Sequence, residues 1–179
     1  CAPVRGPREV GYTLSFGREL GSPDPLDLEE SKRIVLIGSH LGENVFTSQI
    51  TAFATALSRG AKVIAVDPRF STAASKADWW LPIRPGTDIA LLLAWMHVLI
   101  GEDLCDKEYI ARYAQGFKEL EATVRAFTPE WAAAITDLPA AKLREPARAM
   151  GTATPAGREQ PRRTTHRYGH KPPRPRSRG

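Results

Sequence analysis

Two short apolar runs constrain the fold of this chain more than any other feature: residues 34–37 (Ile-Val-Leu-Ile) and 63–66 (Val-Ile-Ala-Val). Both are continuous rather than alternating and rich in β-branched side chains, the pattern of strands buried on both faces. Between them lies a helical period. Asn44 is placed to cap it, Val45, Ile50, Phe53, Ala54 and Leu57 fall on one face, and Gly60 follows Arg59 as the stop. Strands joined through a helix of this length pair in parallel, because a parallel pair needs a long crossover.

The remainder extends this α/β pattern. Residues 8–16 read as a helix stopped by Gly17, and a loop with Gly21, Pro23 and Pro25 leads through acidic residues 27–30 into the first strand. Residues 70–77 are small and polar, a loop with a short helix, and residues 79–83 suit a third short strand closed by Arg84-Pro85-Gly86. Thr87 or Asp88 then caps an apolar helix over 89–100, too short to cross a bilayer and expected to be buried. Helices are expected over 107–114, 117–126, 129–135 and 140–150, with Thr128-Pro129-Glu130 as a cap and a first-turn proline. The expected fold is a three-layer, Rossmann-like parallel sheet with a helical C-terminal extension, occupying residues 1–150.

Residues 151–179 are expected to form a basic, disordered tail. From Gly157 onward the sequence holds seven Arg, one Lys and one Glu, a net +7, so the +5 of the whole chain leaves −2 for residues 1–156. Such a segment buries too little apolar surface to offset its ordering entropy. A ligand-binding tail, a linker and the product of a shifted reading frame are three origins consistent with its composition. A basic balance ordinarily points to nucleic acid, but here that argument rests on the last 23 residues alone. The chain opens with Cys1, as a processed protein or a fragment would, and nothing near its start has the form of a signal peptide. Cys1 and Cys105 are too few for a disulfide framework.

Each strand ends at a polar turn, and in open parallel sheets ligands bind beyond the carboxyl ends of the strands. Gly38-Ser39-His40-Leu41-Gly42-Glu43-Asn44 joins strand to helix, where backbone N–H groups favour an anion. Its glycines are spaced GxxxG. Neither the GxGxxG dinucleotide fingerprint nor a P-loop is present, which disfavours an ordinary NAD or ATP site. Asp67 ends the second strand, 25 residues after Gly42, where a carboxylate can accept from a ribose diol or a purine N–H edge. Arg69 offers a planar fork to phosphate, and Thr87 and Asp88 present oxygens at a helix start. Each segment has a plainer reading as a tight connection or an Asp-Pro turn. His97, inside the apolar helix, reads as a satisfied core histidine, Trp79, Trp80 and Trp95 as packing, and Cys105 as packing. His166 and His170 lie in the tail and carry no catalytic weight.

The segment VDPRFSTAASKADWWLPIRPGTDIALLLAW, residues 66–95, resembles the molybdopterin oxidoreductases of the dimethyl sulfoxide reductase superfamily. In that family the second strand ends in a DPR-like turn, and an alanine, AD and a PGTD-like turn follow. The GSH and GEN pieces resemble the family's first strand-end loop, with His40 standing where Asn is common. The resemblance implies a molybdenum-bis(molybdopterin guanine dinucleotide) cofactor. Carried over by position, Gly38, Ser39, His40, Glu43 and Asn44 would line one part of it, Asp67, Arg69 and Ser71 would meet the guanosine end, and Gly86, Thr87 and Asp88 would close the site. Cys1 lies 37 residues before Gly38, and Cys-Ala-Pro-Val with Arg-Glu-Val-Gly-Tyr resembles the cysteine segment of the polysulfide, thiosulfate and arsenate reductase-like branches. Arg5-Gly6-Pro7 is extra between these two pieces. The resemblance makes Cys1 a catalytic ligand to molybdenum, a role suited to a soft thiolate.

The chain is therefore expected to be part of the catalytic subunit of a two-electron oxidoreductase acting on a small sulfur or arsenic oxyanion, and inactive alone. The resemblance further implies a [4Fe–4S] cluster with ligands before Cys1. Implied partners are the rest of the catalytic subunit, an iron–sulfur electron-transfer subunit, a membrane anchor subunit and a small-molecule substrate, with no nucleic acid. For the whole enzyme a periplasmic or membrane-associated setting in a bacterium is implied. Two other classes stay open: a nucleotide-binding Rossmann-like domain of another enzyme, or a non-enzymatic module whose tail binds nucleic acid.

Overall fold

A computed structural model of the chain describes residues 10, 11, 13–15, 17, 28–39, 41 and 47–153. The chain divides into two units, Cys1–Leu26 with Arg167–Gly179, and Asp27–His166. In the first, described residues 10, 11 and 13–15 are helical, and Gly17, at φ 77°, donates its N–H to the Thr13 carbonyl at 2.9 Å. This is the stop expected of a left-handed glycine.

The second unit is built on three parallel strands, β1 (Arg33–Ile37), β2 (Lys62–Val66) and β3 (Trp79–Leu81), side by side in that order. Helix α1 (Thr47–Ser58) makes the crossover from β1 to β2, and a short 3-10 helix (Ala74–Lys76) lies between β2 and β3. After β3 the chain is helical: α2 (Asp88–Gly101), α3 (Lys107–Tyr113), α4 (Phe117–Val124), α5 (Pro129–Thr136) and α6 (Ala140–Gly151). The α/β class, the parallel sheet and the helical extension follow the sequence reading. The expected cap and apolar residue at Asn44 and Val45, and the tail beyond residue 153, lie outside the described residues.

The pairing register sorts the side chains by face. Val35 pairs with Ile64 and Ile37 with Val66, while Ile64 pairs with Trp79 and Val66 with Leu81. These six residues therefore share one face, because side chains alternate along a strand. They pack into one cluster with Ile83 in the segment after β3, Leu91, Ala94, Trp95 and Val98 of α2, Ala132 of α5, and Leu143, Ala147 and Met150 of α6. On the opposite face Ile34, Val63 and Ala65 are buried as well. Both faces are covered, which is why these strands read as continuous apolar runs.

Two expectations need correction. Ala54 was expected on the buried face of α1 but is exposed, and Ala56 is fully buried instead. Phe53 is buried and Ile50 and Leu57 are half-buried as expected, so the inner stripe runs through Ile50, Phe53, Ala56 and Leu57, and Ala54 alone turns out of it. Helix α2 is not buried all round. Its inner face holds Ala90, Leu91, Ala94, Trp95 and Val98, but Ile89 in its first turn is 73% exposed.

Polar ties complete the helical layer. Trp95 Nε1 donates to the Leu143 carbonyl at 3.0 Å, and His97 Nδ1 lies 3.0 Å from the Val124 carbonyl, so both rings are the satisfied packing residues expected of them. The Thr128 hydroxyl oxygen accepts from the Trp131 N–H at 3.2 Å, with Pro129 in the first turn, as the sequence predicts. Arg148 grips Glu102 through two guanidinium nitrogens, at 2.7 and 2.8 Å.

Asp78 ties β2 to the start of β3. Its carboxylate accepts from Lys62 Nζ at 2.6 Å and from the Val63 N–H at 2.9 Å, while its own N–H donates to the Val63 carbonyl at 2.9 Å. Burial pushes this carboxyl up, but the bonds from Lys62 and Val63 outweigh it and hold it below the ordinary aspartate value. A carboxyl lowered by folding stabilises the fold above its unfolded pKa and loses that contribution as pH falls through the folded value. Urea midpoints should therefore drop on acidification below about pH 4. Asp78→Asn should flatten that drop, though not abolish it, since Arg148 lowers Glu102 in the same direction. An unchanged acid profile in the variant would remove Asp78 from this role.

Candidate functional site

The carboxyl ends of the three strands lie next to one another and are bonded together. Gly38, the first residue after β1, donates its N–H to the Val66 carbonyl at 2.9 Å. Asp67, the first residue after β2, donates its N–H to the Leu81 carbonyl at 3.2 Å. Neighbouring strands lie about 4.8 Å apart, so the β1 and β3 ends are separated by about 10 Å, the span of a nucleoside. Gly38 has φ 54°, and a Cβ added there would meet open space, so the requirement for glycine is conformational. Ser39 beside it is half-buried; His40, Glu43 and Asn44 lie outside the described residues.

The Asp67 turn is fixed from two sides. Asp67 is 9% exposed, and one carboxylate oxygen accepts from the Arg69 N–H at 2.9 Å, closing an Asx turn across Pro68. Its carbonyl accepts from Trp80 Nε1 at 2.9 Å. Trp80 in turn meets Phe70 edge-on, with ring centroids 4.8 Å apart and planes at 68°, while Phe70 remains 61% exposed. Ser71 is buried, and its hydroxyl oxygen accepts from the Ala74 N–H at 3.2 Å at the start of the 3-10 turn. Arg69 is exposed.

The third turn sits farther from the sheet than the other two. Strand β3 ends at Leu81, and the turn at Gly86, φ 81°, begins only after Pro82, Ile83, Arg84 and Pro85. Arg84 anchors it: its N–H donates to the Thr136 carbonyl at 3.2 Å, and its guanidinium makes two bonds to Asp137, at 2.8 and 2.9 Å. Thr87 is the N-cap residue of α2, but its hydroxyl donates to the Arg84 carbonyl at 2.6 Å rather than capping the helix. Asp88, half-buried, is the acidic residue of the first turn of α2.

The structure thus brings Gly38, Ser39, Asp67, Arg69 and Ser71 to adjacent strand ends, and hangs Gly86, Thr87 and Asp88 from α5. Cys1 lies outside the described residues. Among the described residues no group of three or more His, Cys, Asp or Glu is placed to hold a metal, and no helix is long and apolar enough to cross a membrane. The Trp80 bond to the Asp67 carbonyl was not anticipated. Its signal is positional: in register with Ala65, two residues before Asp67, Trp80 can reach along the sheet to the turn.

The sequence pattern of the family described as Molybdopterin oxidoreductase matches residues 5–148. The chain belongs to that family. It is similar to the thiosulfate reductase molybdopterin-containing subunit PhsA of Salmonella typhimurium, with 39% identity over 146 residues, covering 82% of this chain and 19% of that protein. It is similar to the acetylene hydratase of Syntrophotalea acetylenica, at 38% identity over 148 residues, 82% of this chain and 20% of that protein. Dimethyl sulfoxide reductase DmsA of Escherichia coli is 34% identical over 169 residues, 82% of this chain and 21% of that protein. Among solved structures, the acetylene hydratase from Pelobacter acetylenicus superposes with a TM-score of 0.70 at 37% identity, over 73% of this chain and 18% of that one. The chain spans about a fifth of the length of these curated relatives. Their names cover two reductases and a hydratase. What this stretch shares with them is therefore the molybdopterin family itself, and it does not select among substrates.

Proposed function

We propose that the strand-end turns of this molybdopterin oxidoreductase chain form one wall of a molybdopterin guanine dinucleotide site within a larger molybdenum enzyme, residues 1–150 being part of its cofactor-binding α/β domain. The carrying observation is the Asp67 turn, buried, bonded at both ends and set beside the left-handed Gly38. The donor set suits the nucleoside end of such a group. A guanine presents N–H donors and its ribose a diol, which the Asp67 and Asp88 carboxylates can accept, while Arg69 suits phosphate. Ser71 shapes the turn at the guanosine end. Gly38 and Ser39, with His40, Glu43 and Asn44, would line another part, and Gly86 and Thr87 would close the site beside α2. Cys1 would be the molybdenum ligand, a soft thiolate for a redox metal. When bound, the cofactor supplies the two-electron chemistry, and the protein supplies binding, orientation and electrostatics. The resemblance of the Cys1 segment to the polysulfide, thiosulfate and arsenate reductase-like branches is what supports a sulfur or arsenic oxyanion-type substrate, and with it an iron–sulfur cluster, an electron-transfer subunit and a membrane anchor in the complete assembly.

Guanosine monophosphate tests the nucleoside end. Added to the full chain at millimolar concentration, it should shift the backbone amide resonances of Asp67, Arg69 and Asp88 more than adenosine monophosphate does. Asp67→Asn should weaken that response about tenfold, the loss of one charge-assisted hydrogen bond. Equal responses to both nucleotides would overturn the guanine assignment, and no response at either turn would overturn the site.

A further inference from the structure

The turn that carries Gly86, Thr87 and Asp88 has little of its own to hold it. Ile83 is the last buried side chain before α2, and Arg84, Pro85 and Gly86 are all exposed. The turn's own bonds lead back to Arg84. The Arg84 carbonyl accepts from the Thr87 hydroxyl at 2.6 Å and from the Thr87 N–H at 3.2 Å. The Thr87 carbonyl in turn accepts from the Ala90 and Leu91 N–H groups at 3.0 and 3.3 Å. The placement of Arg84 therefore sets where Thr87, and Asp88 after it, begin the helix.

Arg84 itself is held from outside the turn. Its N–H donates to the Thr136 carbonyl at 3.2 Å, and its Nε and Nη2 fork onto the Asp137 carboxylate at 2.8 and 2.9 Å. That acceptor is fixed in place. Thr136 and Leu138 on either side are buried, the Thr136 hydroxyl donates to the Ala132 carbonyl at 2.8 Å, and Asp137 ends α5 in the left-handed region at φ 61°. Both side chains of the pair are more than half exposed, at 55% and 59%. An exposed ion pair adds little to stability, whereas a planar fork on a carboxylate fixes direction as well as distance. The pair is better suited to set an orientation than to hold the fold together.

We propose that Arg84 and Asp137 are positioning residues that set a preference for guanine over adenine at the nucleoside site, by fixing the placement of Asp88. This rests on the reading of the strand-end turns as a guanine dinucleotide site. The N1–H and the 2-amino group of guanine are adjacent donors that one carboxylate can accept side by side. Adenine offers a single donor group on that edge, beside an acceptor. Two parallel bonds demand a carboxylate held in one plane, and a single bond does not. Neither Arg84 nor Asp137 touches the nucleotide; the helical layer acts on base recognition through the turn.

The test measures dissociation constants for guanosine and adenosine monophosphate by amide titration of the full 179-residue chain, of Arg84→Lys, of Asp137→Asn and of the double variant. Lysine keeps the charge without the fork, and asparagine tolerates the left-handed conformation, so each variant should keep the urea midpoint of the unaltered chain. Each single variant should lower the preference for guanosine monophosphate about fivefold, toward unity, and the double variant no further, because the two residues act as one pair. A preference expressed as a ratio cancels any direct action of either charge on the phosphate, which both nucleotides carry. Without nucleotide, the Thr87 amide should exchange about tenfold faster in each variant while the Asp67 amide keeps its rate. Losses that add in the double variant, or an unchanged Thr87 amide, overturn the proposal. So does a preference that falls only together with the urea midpoint, since the pair would then hold the fold and not the turn. Equal binding of the two nucleotides by the unaltered chain overturns the cofactor reading and this inference with it. A preference present there and kept in the variants overturns this inference alone.

Discussion

Replacing Trp95 by alanine is expected to cost about 3–5 kcal/mol, the largest loss from any single side chain in this fold. The indole is 2% exposed and stands where the sheet, α2 and α6 meet, in one cluster with Val66, Leu91, Val98, Leu143 and Met150. Truncation leaves a cavity ringed by secondary structure on several sides, which collapses poorly. Against a total stability of about 5–15 kcal/mol for a domain of ordinary size, this is a large fraction. Urea unfolding followed by far-ultraviolet circular dichroism should show the midpoint of Trp95→Ala falling steeply or the transition vanishing. Trp95→Phe keeps most of the volume and loses only the N–H bond to Leu143, so it should lose about 1–2 kcal/mol. Equal losses in the two variants would mean that the hydrogen bond, and not the buried ring, carries the effect.

Gly151→Ala is the second large effect, and its sign is the informative part. Within a helix alanine ordinarily stabilises relative to glycine by about 1 kcal/mol. Here a Cβ on Gly151 would lie 2.5 Å from Leu104 Cβ and 2.9 Å from Leu99 Cδ2. Leu104 Cβ cannot rotate away. It is carried by a turn held by the Leu104 N–H bond to the Leu99 carbonyl at 2.8 Å, with Asp103 in the left-handed region at φ 57°. The helix end or the turn must shift, and overpacking of this kind costs about 1–3 kcal/mol. Truncating Leu104 to alanine leaves the offending Cβ in place and should not rescue the variant. A raised urea midpoint in Gly151→Ala would show that α6 does not approach the turn this closely.

How much of this was legible in the sequence depended on whether the signal was local. The strands at 33–37 and 62–66 could be read because burial on both faces writes itself as an unbroken apolar run. The helices from α2 to α6 could be read within a few residues because their caps and stops, such as Thr128-Pro129, are local chemistry. On α1 only Ala54 was misplaced, because an alanine methyl is too small a signal to tell which of Ala54 and Ala56 turns inward. Tertiary ties left no local trace. Arg84 with Asp137, Arg33 with Ala149 and Trp80 with the Asp67 carbonyl join residues 13 to 116 positions apart. The family became legible only through the joint occurrence of the DPR and PGTD turns, because each alone is an ordinary turn.

The two bonds that hold the Asp67 turn bear on the thermodynamics of ligand capture. A loop that must be ordered by its ligand subtracts that ordering entropy from the affinity. Here the Arg69 amide and the Trp80 indole already lock the turn between Asp67 and Arg69, and neither donor need be surrendered when a nucleotide arrives. The turn is pre-organised. At the proposed cofactor site, ligand contacts at this end therefore emerge almost undiminished as affinity, and the entropic cost of ordering falls on segments other than this turn.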